Sequence, residues 1–165
     1  MQRRTFLKAG LLGAVALAAG GAVYRHLRPA QPQRFALDAQ GRRMLAALVP
    51  AITGLTPAPP ALEAGIARVA GAIAALPLAT QKEISDLFGL LSLAPTRRLL
   101  AGVPPWQDAT PAEVAAFLQG WRTHRTAMLQ SAYHGLHDLV IGAWYADPSA
   151  WAAIGYPGPL QELSA

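Results

Sequence analysis

The sequence predicts an all-α fold, an irregular bundle of five to six helices after an N-terminal leader. Three observations predict it. From Phe35 onward, apolar residues recur at three- and four-residue spacing, the period of a helix with one buried face. Prolines and capping residues divide this pattern into helix-length segments. No segment alternates apolar and polar residues as a half-buried strand would, and no internal repeat is visible.

The first element is the leader, residues 1–30. Arg3 and Arg4, then Phe6-Leu7 and Lys8, stand ahead of a charge-free run from Ala9 to Val23 that holds four glycines. Paired arginines before a short, mildly apolar run form a twin-arginine export signal, with Arg3, Arg4, Phe6, Leu7 and Lys8 as its elements. Fifteen residues fall short of the ~20 that a membrane span requires. Small-x-small cleavage sequences lie inside the run, and Tyr24-Arg25-His26-Leu27-Arg28 follows it. Both a cleaved signal peptide and a retained N-terminal anchor are open. A Pro- and Gln-containing stretch, Pro29 to Arg34, reads as a linker.

Residues 35–165 are expected to form a single helical domain. Met44, Leu45, Leu48, Val49 and Ile52 place a first helix over Asp38–Thr53, with Asp38 as N-cap. Thr56-Pro57-Ala58-Pro59-Pro60 is a stiff loop, because proline cannot continue a helix. An alanine-rich helix is expected over Ala61–Leu76, closed by Pro77. Thr80-Gln81-Lys82-Glu83 matches a capping box and predicts a helix start there, running to about Leu93. A short helix follows from Pro95 to Leu100, ended by Gly102, and Pro104-Pro105-Trp106 reads as a turn. Thr110-Pro111-Ala112-Glu113 matches a second capping box, with proline where a missing N–H costs nothing. It opens a helix through Val114, Phe117, Leu118 and Trp121. After a break between Gly120 and Arg125, a long helix runs from Thr126 to Tyr145. Asp147-Pro148 caps a final short helix over Ser149–Ile154, which Gly155 ends.

The charge distribution narrows the function classes. The chain of 165 residues carries a formal charge of +5, but residues 1–34 hold six basic side chains and no acid. The remainder holds eight basic against nine acidic ones. Nucleic-acid binding needs clustered cations on the folded body, so nucleic acid is excluded as a partner. With no cysteine, disulfides, thiolate metal sites and covalent haem attachment are excluded as well. Only 14% of the residues are charged and 53% are hydrophobic, against roughly 25% charged in an average protein. A surface this poor in charge suits a domain covered in part by another protein.

Catalytic patterns are sparse. His134 and His137, at i and i+3 with Asp138 alongside, are the weak candidates for a metal site. A di-iron site would need carboxylates from several helices, and the long helices offer few; a polar, solvated helix face is the plainer reading. Ser131 has no nucleophile-elbow sequence around it. No glycine-rich nucleotide loop occurs outside the leader, so no catalytic residue and no cofactor-binding residue is assigned to this chain. Aromatic residues are the exception. The stretch Ala143–Pro159 packs Trp144, Tyr145, Trp151 and Tyr156 together with three prolines into seventeen residues. Rings in a rigid turn suit a core or an interface equally. Trp144, Tyr145, Trp151, Ile154, Tyr156, Pro157 and Gly158 are the candidate partner-contact residues.

This tail, Ala-Trp-Tyr-Ala-Asp-Pro followed by Trp-Ala-Ala-Ile-Gly-Tyr-Pro-Gly-Pro, resembles the small subunit of membrane-associated FAD-dependent dehydrogenases, the gluconate 2-dehydrogenase subunit 3 family. The resemblance covers the leader at Arg3-Arg4 and roughly Pro111 to Pro159, and the first half of the body matches only in size and helicity. It implies a non-catalytic chain that carries a folded FAD-containing large subunit across the membrane through the twin-arginine translocase and stabilises it. It also implies a periplasmic, membrane-associated location and a cytochrome c subunit with haem c as a third component. The alternative from the residues alone is a free-standing periplasmic metal or ligand carrier using His124, His134 and His137, or a small enzyme with an unfamiliar site.

Overall fold

The structure, a computed structural model, describes residues 34–159. Arg3, Arg4, Phe6, Leu7 and Lys8 lie outside the described residues. Among the described residues, six α-helices and one 3-10 helix make up an all-helical bundle with no strand: α1 Ala39–Thr53, α2 Pro59–Ala74, α3 Leu78–Ser92, α4 Ala94–Leu100, α5 Pro111–Arg122, α6 Ala127–Tyr145 and the 3-10 segment Pro148–Ile154.

Helix α1 is the centre of the bundle and packs against α2, α3, α5 and α6. Met44, Leu45, Leu48 and Val49 on its inner face are completely buried, which the apolar spacing of this segment dictates. Asp38 caps its start, its Oδ1 accepting from Gly41 N at 2.7 Å. The helix continues past Pro50 and stops at Gly54, whose φ of 69° is left-handed and whose N–H reaches Pro50 O at 2.9 Å. Glycine tolerates that conformation without the steric cost a side chain would impose. This glycine, rather than the proline-rich loop behind it, ends the helix.

Two helix starts differ from the sequence expectation. Helix α2 begins at Pro59 instead of Ala61, because prolines in a first turn give up only N–H groups that have no helical partner. Helix α3 begins at Leu78, so the expected capping box at Thr80–Glu83 does not form. Pro77 already stands in an extended conformation at the N-cap, and Gln81 is put to another use. Its side chain is buried at 3% exposure. Its amide donates to Ala74 O at 2.9 Å and Leu76 O at 2.7 Å, and its Oε1 accepts from Phe35 N at 2.9 Å. Gln81 thereby satisfies the carbonyls left over where α2 ends and ties the entering chain to α3. Phe35 adds an edge-on contact with Phe88, centroids 5.6 Å apart.

The second capping box forms in full. Thr110 Oγ1 accepts from Glu113 N at 3.3 Å, and Glu113 Oε2 accepts from Thr110 N at 2.8 Å. Trp106 and Trp121 both lie in the core, each donating its ring N–H to a carbonyl, Leu91 O at 3.0 Å and Leu100 O at 2.8 Å. Phe117 packs between them in edge contacts. Among the described residues no helix is long and apolar enough to cross a membrane.

Candidate functional site

The C-terminal aromatic segment is built outward from the pairing of α2 with α6. Gly65 lets these helices come close: a Cβ at this position would lie 2.6 Å from Cζ3 and 2.8 Å from Cε3 of Trp144. Trp144 is therefore a core residue at 6% exposure. This removes it from the expected partner contact, because its ring fills the gap that Gly65 leaves. The Arg68 guanidinium stands over the indole, 5.9 Å from the ring centroid. Arg68 also donates from Nε to Ala143 O at 3.1 Å and from Nη1 to Asp147 Oδ2 at 2.7 Å.

Asp147 has two roles. Its Oδ1 accepts from Ser149 N at 2.9 Å, capping the last helical segment, while Oδ2 takes the Arg68 guanidinium. The Ser149 N–H, helped by Arg68, holds the Asp147 carboxyl below its usual range. The predicted cap is present, but the segment it opens is a 3-10 helix rather than an α-helix. The end of the chain is thus fastened to α2 by a charged clasp that joins residues 79 positions apart.

Beyond the clasp the tail forms a compact aromatic turn. Trp151 is half-buried and donates its ring N–H to Tyr145 O at 2.8 Å. Tyr145 is half-buried as well. The Tyr156 ring meets Trp151 edge-on at 5.1 Å, and Tyr156 N bonds back to Trp151 O at 3.1 Å. Gly155 takes φ 69° to make that reversal, and Gly158, φ 96°, brings the backbone against the indole, where a Cβ would sit 3.2 Å away. Ile154 at 55% and Tyr156 at 46% are exposed, as is Pro157. Three of the expected contact residues, Ile154, Tyr156 and Pro157, therefore present surface. Trp151, Tyr145 and Gly158 hold that surface in shape.

Among the described residues, His124, His134 and His137 do not come together in one cluster. His134 and His137 both pack on the Tyr133 ring, at 5.2 and 5.6 Å, and His137 Nδ1 lies 3.0 Å from Asp138 Oδ1. Among the described residues no group of three or more His, Cys, Asp or Glu side chains could hold a metal ion. His124 sits at the end of α5, its Nδ1 accepting from Thr126 N at 3.0 Å.

The residues that escaped sequence reasoning are Gly65, Arg68 and Gln81. For Gly65 the sequence offers only a glycine inside an alanine-rich helix, a feature it shares with Gly71, where there is open space. No protein-family model, curated protein or solved structure matches the chain.

Proposed function

We propose that this chain is the non-catalytic small subunit of a periplasmic, membrane-associated flavin-dependent dehydrogenase that oxidises gluconate, another sugar or an alcohol. In this reading it carries the twin-arginine signal at Arg3-Arg4 for a large subunit that folds around FAD before export. It then remains bound and stabilises that subunit, and a haem c subunit completes the path for electrons. The leader and the resemblance of the tail both support this.

The observation that carries the reading is the exposed surface at Ile154 and Tyr156. Two large apolar side chains stand in solvent on a turn whose backbone is already locked by Trp151, Gly155 and Gly158. Such a turn loses little freedom on binding, which favours a tight contact.

The test is co-purification of the flavoprotein with Ile154→Ala in the full chain, which leaves the Trp151–Tyr156 ring contact in place. An interface anchor cut to alanine costs on the order of 2–4 kcal/mol, about 30- to 1000-fold in affinity. The flavoprotein should be lost while the helical circular dichroism and melting temperature stay at wild-type values. Undiminished co-purification would refute the contact. Trp151 is unsuitable for this test, since its removal would dismantle the turn itself.

A further inference from the structure

Where α4, α5 and the start of α6 meet, an apolar cleft of about 570 Å³ opens to solvent. Small residues, Ala116 and Gly120, line it from α5, with Leu99 on α4 and Leu129 on α6. A Cβ added at Gly120 would meet nothing within 4 Å, while Leu99 is 68% exposed. A protruding apolar side chain thus stands beside an open recess.

The same face of α5 is polar at both ends. Glu113, Ala116, Gly120 and His124 all line the cleft and recur at three- and four-residue spacing, so one helix face carries them. Glu113 and His124 stand roughly 16 Å apart at 1.5 Å per residue. Each has one unused polar atom. Thr110 N and Oγ1 both donate to Glu113 Oε2, which leaves Oε1 without a partner among the described residues. His124 Nδ1 accepts from Thr126 N at 3.0 Å, so Nε2 carries the ring N–H, and it too has no partner there.

A surface that pairs with its own copy must hold knob and recess, donor and acceptor, side by side. We propose that this face is the interface of a two-fold dimer of the chain, with the α5 helices antiparallel across the cleft. Turning one copy end to end brings Glu113 of each onto His124 of the other, so one pair of residues makes two identical contacts. Leu99 of each then enters the recess over Ala116 and Gly120 of the other. An unrelated partner gives no reason for a free acceptor and a free donor to share one face; a second copy requires it. The cleft lies at the start of α6 and the aromatic turn beyond its end, so this dimer does not depend on the flavoprotein reading.

The chain has no cysteine, so Glu113→Cys/His124→Cys in the full chain gives a position-specific cross-link. Within one chain the two sulfurs are too far apart to join, since a disulfide needs Cα atoms within about 7 Å. Between antiparallel copies they meet twice. Thr110 Oγ1 still accepts from the N–H at position 113, which retains the start of α5, and circular dichroism checks the fold. Oxidation with diamide should give a covalent dimer from the double variant and from a mixture of the two single variants, but from neither single variant alone. The apolar run Ala9–Val23 can bring chains together by itself, yet it has no reason to align position 113 with position 124. Adding Gly120→Leu, at a position open within its own chain, fills the recess and should lower the dimer band roughly tenfold. Ile154→Ala should leave the band unchanged, which separates failure here from failure of the flavoprotein contact. A folded double variant that gives no covalent dimer overturns the proposal. So do equal bands from the single variants, or a band that Gly120→Leu does not reduce.

Discussion

Gly65→Ala should destabilise the domain, while Gly71→Ala on the same helix should stabilise it. Replacing glycine by alanine inside a helix gains about 0.5–1 kcal/mol from backbone entropy alone. At Gly71 nothing lies within 4 Å of the added Cβ, so that gain is realised in full. At Gly65 the methyl would stand 2.6 Å from Trp144 Cζ3, against an optimal carbon–carbon separation of ~3.5–4.0 Å. Roughly 1 Å must be found. The indole cannot readily supply it, because it is buried in the core with Arg68 over the ring. Helices α2 and α6 must part instead, and overpacking of this kind costs about 1–3 kcal/mol. The net for Gly65→Ala is a loss of about 1–2 kcal/mol, and the two variants should differ by about 1.5–3 kcal/mol. At roughly 4 °C per kcal/mol for a domain of this size, thermal melts followed by circular dichroism should fall by about 4–8 °C and rise by about 2–4 °C respectively. Combining Gly65→Ala with Trp144→Leu should recover most of the loss, as expected for residues coupled by direct contact. A Gly65→Ala chain as stable as wild type would refute the packing of Trp144 against α2, and with it the placement of the tail.

Gln81→Leu should cost about 3 kcal/mol in urea unfolding, since it strips partners from Phe35 N, Ala74 O and Leu76 O at a buried position. Acid should loosen the clasp and the α5 cap together. Ser149 and Thr110 backbone N–H groups hold Asp147 and Glu113 below their usual ranges, so their contribution is present above the unfolded values near pH 4 and lost as pH falls through the lower folded ones. A pH series of melts should show this decline, reduced in Asp147→Asn. On the proposed function, Arg3→Lys with Arg4→Lys should leave both this chain and the flavoprotein in the cytoplasm by cell fractionation. Export of the flavoprotein without this leader would sink the carrier role.

Helix identity, the break after Arg122 and the capping box at Thr110 were all legible in the sequence, because each depends on residues within a few positions of one another. Apolar spacing marks which face of α1 is buried whatever it is buried against, and Thr110 reaches Glu113 across one turn. The same local signal misled at Thr80, where the chain around Gln81 had to serve carbonyls at the end of α2 and an N–H at Phe35. Those partners come together only once α2, α3 and the entering chain are packed.

The aromatic tail divides along the same line. Its composition alone established that rings and prolines would crowd a short, turn-rich segment capped by Asp147. Which rings face inward was decided by Gly65 and Arg68, which lie 79 positions from Trp144 and Asp147 respectively. A missing side chain on α2 makes room for Trp144, and a guanidinium on the same helix fixes where the chain turns. Ile154 and Tyr156 are left on the surface as a consequence. Burial depends on what arrives from elsewhere in the chain, and no pattern within the tail encodes it.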